Sequence, residues 1–136
     1  MGRINMADKM GIPRDEILAT EPGRLLDALV AEYVVGMKEH RKAYPESFDE
    51  RVIWFRDPPN VTAYYVPFYS TDISAAWVVV EKMFEHGGCE IGCYGSKSGG
   101  KWFEVNVITM NGEVTVTAHT APEAICKAAL LAVMEG

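Results

Sequence analysis

Three cysteines, three histidines and one Gly/Ser/Lys loop are the groups in this chain with the most chemistry to offer. His86, Cys89 and Cys93 spell H-x-x-C-x-x-x-C, a set of zinc-ligand types. On an extended strand, however, Cys89 and Cys93 stand about 13 Å apart, whereas zinc ligands converge to roughly 3–4 Å of one another. Small buried core thiols account for them better, and no metal is expected. His119 and Cys126 make a base and a nucleophile only if distant parts of the chain meet. Cys126 also falls near the inner stripe of a helix, away from the exposed electropositive setting that activates a thiol. No two carboxylates have a spacing that implies acid–base work. No catalytic residue and no cofactor is therefore assigned, and the chain reads as a binder rather than an enzyme.

The candidate binding groups are of three kinds. Gly95 to Lys101 (GSKSGGK) has the flavour of a phosphate loop, but it lacks the P-loop pattern and no helix follows it. It reads first as a hairpin loop, and second as a lid whose amides, Lys97 and Lys101 touch an anion. Ser70-Thr71-Asp72 is mainly a helix start; its free amides suit an anion, but Asp72 would compete with one. Trp102 points away from the expected helices, beside Asn106, Thr115 and Thr117. It could stack a base and hydrogen-bond its edges, or anchor a dimer interface. Arg24 lies in the first turn of a helix, where the dipole disfavours a cation. It therefore serves an acidic neighbour such as Asp27, or a ligand's phosphate.

The elements that must position these groups follow from periodicity and punctuation. Residues 1–13 read as a loose leader, and 14–136 as one α+β domain. Asp15 caps a short helical turn through Thr20. Thr20-Glu21-Pro22-Gly23 restarts a helix, with Leu25, Leu26, Leu29, Val30, Tyr33 and Met37 at helical spacing and Gly36 as a stop. Residues 38–50 are charged and contain Pro45, which suggests a solvated linker. Residues 51–56 (RVIWFR) and 61–66 (VTAYYV) form an extra hairpin about the Asp57–Asn60 turn.

A helix over 71–86 follows, with Ile73, Ala76, Trp77, Val80 and Phe84 inward, stopped by Gly87-Gly88. Three alternating strands come next, the last two joined at Asn111-Gly112 as a type I′ hairpin. Thr120-Ala121-Pro122-Glu123 is a capping box opening a helix to Met134, with Ile125, Ala128, Ala129, Ala132 and Val133 inward. The α-β-β-β-α core of residues 70–135 predicts an antiparallel sheet with both helices on one face. Cys89, Ile91, Cys93, Phe103, Val105, Val107, Val114, Val116 and Ala118 face the helices. Glu90, Tyr94, Trp102, Glu104, Asn106, Thr115, Thr117 and His119 face away, leaving a polar side with two aromatics.

Composition narrows the partners. In 136 residues there are 13 basic and 19 acidic side chains, a net charge of −6. Double-stranded RNA-binding domains share the α-β-β-β-α order, but they grip phosphates with basic residues at the start of the last helix. Here that helix, TAPEAICKAALL, has one lysine. DNA, RNA and anionic membranes are thus not expected partners. The segment MGRINMADKMGIPRDE lacks a signal-peptide core, and no apolar run approaches the roughly 20 residues that span a bilayer. The apolar share of 49% suits a globular core, and an odd number of cysteines suits reduced thiols in a cytosol.

Three blocks carry a family resemblance: EPGRLLDALVAEYVVG (21–36), PFYSTDISAAWVVVEKM (67–83) and HTAPEAICKAALLAVM (119–134). Together they resemble the phage ABA-sandwich domain proteins, small proteins carried by tailed phages and prophages. The blocks cover about half the chain in the family's order, and 37–66 matches least. The resemblance implies a phage-derived gene expressed in a bacterial cytoplasm. By analogy of context it suggests an anti-defence role, as a sponge for a nucleotide immune signal such as a cyclic ADP-ribose derivative, a task that needs a pocket and no catalysis. Under that reading Trp102 or Tyr69 stacks the base, and Arg24, Arg56, Lys97 or Lys101 meets phosphates. Ser70, Thr71, Asn106 and Thr117 complete the set, in a homodimer or higher homo-oligomer. The alternative is a protein-interaction module that inhibits or modulates a host protein, steered to a basic partner by its acidic charge.

Overall fold

A computed structural model of the chain describes residues 13–36, 40–42, 53–56, 63–85 and 87–135. The leader up to residue 12, His86 and the Asp57–Asn60 turn lie outside the described residues. The elements in order are α1 (Arg14–Ala19), α2 (Arg24–Val30), β1 (His40–Lys42), β2 (Ile53–Arg56), β3 (Ala63–Tyr65), α3 (Ile73–Met83), β4 (Gly88–Gly95), β5 (Lys101–Thr109), β6 (Gly112–Ala118) and α4 (Ala121–Glu135). The chain is of the α+β class. α2 runs on without a break as one π turn, Ala31–Val35, and ends at Gly36, whose φ of 91° suits glycine.

The described residues form two antiparallel sheets, ordered β1-β2-β3 and β4-β5-β6. The expected hairpin is present, with Trp54 opposite Tyr65 and Arg56 opposite Ala63. His40–Lys42, inside the stretch read as a solvated linker, instead pairs with β2 as an edge strand.

The second sheet forms the expected meander. Val105, Val107, Val114 and Val116 are buried on its helix side. Its β5–β6 turn comprises Met110 and Asn111 between the paired Thr109 and Gly112, one residue earlier than Asn111-Gly112. Thr109 fixes this register: its hydroxyl bonds the Gly112 carbonyl at 2.9 Å and accepts from the Asn111 amide at 3.3 Å.

α4 is the centre of the core. It lies on β5 and β6, while α1, α2, the π turn and α3 pack on its other sides. Every residue from Ala124 to Ala132 is buried, so the single inward stripe of the sequence reading is too narrow. A helix apolar all round is a buried helix, and the alanines at 124, 128, 129 and 132 let neighbouring elements approach closely. Ile125, Leu130 and Leu131 are fully buried, each contributing about 1.5–3 kcal/mol. The one charge on this stretch, Lys127, is neutralised in place: its ammonium donates to the Leu18 carbonyl at the end of α1, at 2.7 Å, and to Glu123. Glu123 therefore closes only half of the expected capping box, in which Thr120 accepts from the Glu123 amide at 3.4 Å.

Two stripes differ from expectation. α3 buries Ala76, Val79, Val80 and Met83 against α4, leaving Ile73, Trp77 and Phe84 more than half exposed at its rim. On β4, Ile91 and Cys93 pair with Val105 and Phe103 and so share their side of the sheet, yet both are exposed. β4 is the edge strand that α4 leaves uncovered, since α4 lies on β5 and β6. Leu25 is likewise exposed, on the outer side of α2.

Candidate functional site

The residues singled out from the sequence fall into two places with opposite character. The first is a closed polar knot between the start of α2 and the segment leading into α3. No local side chain caps α2. Thr20, expected as its cap, donates instead to the Glu16 carbonyl at 2.6 Å within the α1 turn. The cap arrives from 47 residues away: the Gly23 amide donates to Ser70 Oγ at 2.9 Å.

Asp27 organises the rest of the knot. Its Oδ1 accepts from the Ser70 amide at 2.7 Å and the Ser70 hydroxyl at 2.6 Å, and its Oδ2 accepts from Arg24 Nη1 at 2.7 Å. Arg24 also donates to the Val66 and Pro67 carbonyls, and its guanidinium lies 4.2 Å from the centre of the Phe68 ring. Asp27 and Ser70 are completely buried and Arg24 is 3% exposed. Of the two uses open to Arg24, the one present is the ion pair with Asp27. Tyr69 is buried beside them, and desolvation, with Cys126 and Asp27 adding to it, pushes its phenol pKa up. Burial also raises the Cys126 thiol far above the ordinary range, so it is a neutral core group at physiological pH. Downstream, Asp72 caps α3 by accepting from the Ser74 amide at 3.0 Å, and Thr71 is exposed.

The second place is the outer face of β4-β5-β6. The register lays out its rows: Tyr94 beside Trp102; Gly92, Glu104 and Thr117; Glu90, Asn106 and Thr115; Gly88, Ile108 and Glu113. Tyr94 and Trp102 are stacked, with ring centres 5.8 Å apart and planes 18° from parallel. The Tyr94 ring lies over Gly92, where a Cβ would come within 2.7 Å of it. A side chain at 92 would therefore push the Tyr94 ring out of this position. The pair stays open, with Tyr94 47% and Trp102 42% exposed. Thr115 donates to Asn106 Oδ1 at 2.9 Å and holds that amide in place.

Of the ten residues proposed for binding, Trp102, Asn106 and Thr117 share this face. Lys97 and Lys101 are exposed at the loop beyond the Tyr94–Trp102 row. Arg24, Tyr69 and Ser70 belong to the buried knot, and Thr71 lies outside it. Arg56 ends β2 in the other sheet. The sequence reading placed Tyr94 on the outer face but left it out of the site. The cue was available: once the 96–100 loop joins β4 and β5 symmetrically, Tyr94 and Trp102 must stand opposite each other. Among the described residues no three His, Cys, Asp or Glu side chains converge as a metal site would require. Among them, too, no helix is long and apolar enough to cross a membrane.

Comparison with known proteins agrees with this architecture. No curated protein matches the chain. Among solved structures, it is similar to a phage protein from Bacillus cereus, with a TM-score of 0.62, 28% sequence identity, and coverage of 84% of this chain and 88% of that one. The phage ABA sandwich domain matches residues 28–130, a span that runs from α2 through the meander into the buried helix α4, and the chain therefore belongs to the phage ABA sandwich domain family.

Proposed function

We propose that this phage-family chain is a non-enzymatic binding protein that engages another protein through the outer face of β4-β5-β6. The observation that carries the reading is the exposed Tyr94–Trp102 stack. Aromatic rings half open to water on a hydrogen-bonded sheet are the kind of anchor that binding energy concentrates on. The net charge of −6 supports a protein partner with a basic surface, because opposite charge speeds association. A photo-cross-linking amino acid at Thr117, tested in bacterial host cells, should give one discrete protein adduct that disappears when Trp102→Ala is added. Labelling no different from that at an exposed position on α1, such as Arg14, would exclude this face as an interface.

A second reading is sequestration of a nucleotide-like immune signal, supported by the same stack as a seat for a base and by Lys97 and Lys101 beyond it. It is weakened by the knot, which commits Arg24 and Ser70 to internal bonds and buries Tyr69. Calorimetry against adenine-nucleotide signals, including cyclic ADP-ribose derivatives, tests it directly. Stoichiometric heat that is lost with Trp102→Ala would favour sequestration over a protein partner.

A further inference from the structure

Building on the reading of the outer sheet face as a protein interface, we infer that the Tyr94–Trp102 stack seats an arginine side chain from a basic segment of the partner. Three observations select that chemistry. The Tyr94 and Trp102 rings run nearly parallel and stay half open to water, and an exposed aromatic ring attracts cations to its face. The rows next to the stack carry Glu104, then Glu90, then Glu113, and among the described residues none of these carboxylates has a hydrogen-bonded or ion-paired partner. Successive rows on one face lie about 6.5–7 Å apart, so a guanidinium on the stack has Glu104 within a side chain's reach. Arginine suits both parts, since its planar fork stacks on rings and bonds carboxylates in pairs.

The same layout disfavours the other occupants. A second copy docked face to face would set glutamates against glutamates. A phosphate seated near Trp102 would meet Glu104 one row away. The lysines do not cancel this field: Lys101 shares the alternation of Phe103, toward the helix side, and Lys97 sits in the 96–100 loop.

The probe is an end-blocked Gly-Arg hexapeptide repeat, titrated into the full chain while the Trp102 indole N–H is followed by NMR. Its resonance is assigned with Trp102→Phe. The control peptide replaces each arginine by citrulline, which keeps the shape and removes the charge. The arginine peptide should shift the Trp102 signal, and the citrulline peptide should bind at least about tenfold more weakly. Glu104→Lys, which leaves the rings intact, should weaken arginine binding by a similar factor, and added salt should weaken it further. Equal binding of the two peptides, or arginine binding that survives both Trp102→Ala and Glu104→Lys, would overturn the inference. A Thr117 cross-link to a protein without any Trp102 response to the arginine peptide would remove the cationic anchor while leaving the interface reading intact.

Discussion

The knot around Asp27 and the face around Trp102 use similar residues to opposite ends. Each has aromatic rings, carboxylates and small hydroxyls. In the knot Arg24, Asp27 and Ser70 find protein partners, and the guanidinium is taken out of water by one carboxylate, two carbonyls and a ring. On the face the carboxylates and rings lack such partners and stay in solvent. Internal satisfaction turns polar groups into structure. Only groups left over on a rigid surface can recognise something else. The contrast can be broken from either side.

The largest effect is expected at Asp27. Asp27→Ala leaves the Arg24 charge buried without its carboxylate and strands the Ser70 amide and hydroxyl. Breaking a buried pair from one side costs about 3–5 kcal/mol, a large share of the stability of a domain this size. Urea unfolding should show that loss. Replacing both Arg24 and Asp27 by apolar residues of similar volume should cost less than Asp27→Ala alone. A cost for Asp27→Ala within about 0.5 kcal/mol would mean that the knot is not holding α2 to the 66–72 segment.

The next effect separates the buried thiol from the exposed one. Burial raises the Cys126 thiol pKa far above its ordinary value of 9.0. The folded state thus keeps its proton where the unfolded chain has lost it. The sign follows: stability is full below about pH 9 and falls as pH rises above it, by up to about 1.4 kcal/mol per pH unit. Tyr69 adds a fall in the same direction above its ordinary value of 10.0. Denaturation at a series of pH values should show this decline, with a shallower slope in Cys126→Ala. In the native protein a thiol reagent should modify the exposed Cys93 quickly, and Cys126 only on unfolding. Rapid native labelling of Cys126 would contradict its burial.

The smallest change in stability is expected on the face. Trp102→Ala removes a half-exposed ring and one stacking contact, worth about 0.5–1.5 kcal/mol, and should leave the fold and the Asn106–Thr115 bond intact. Amide spectra of Trp102→Ala should superpose on those of the parent except near Tyr94 and Gly92. If Trp102→Ala instead unfolds the chain, Trp102 is a core residue, and the distinction between the two regions fails.

How far this could be read in advance varied by element. Alternation placed β4, β5 and β6 and divided their faces correctly, because one covered face and one wet face leave a period-two record. The open face was legible for the same reason. Helix positions were read less well. α3 carries apolar residues around much of its circumference, so its sequence permits several inward stripes. Contact with α4 selected Ala76, Val79, Val80 and Met83 over Ile73, Trp77 and Phe84. The start of α2 was misassigned to Thr20 because local rules look for a cap within a few residues, and Ser70 is 47 residues away.

The residues alone determined the element order from α3 to α4, the two-sided sheet and the acidic charge, since each of these is written in local spacing or in simple sums of charge. Tertiary structure alone decided that Arg24, Tyr69 and Ser70 turn inward while Tyr94 and Trp102 stay out. For Arg24 and Ser70 the physical reason is that a strongly polar side chain is buried only if distant parts of the chain arrive to satisfy it. Nothing in the spacing of Arg24 and Asp27 announces that Val66, Pro67 and Ser70 will be there to do so.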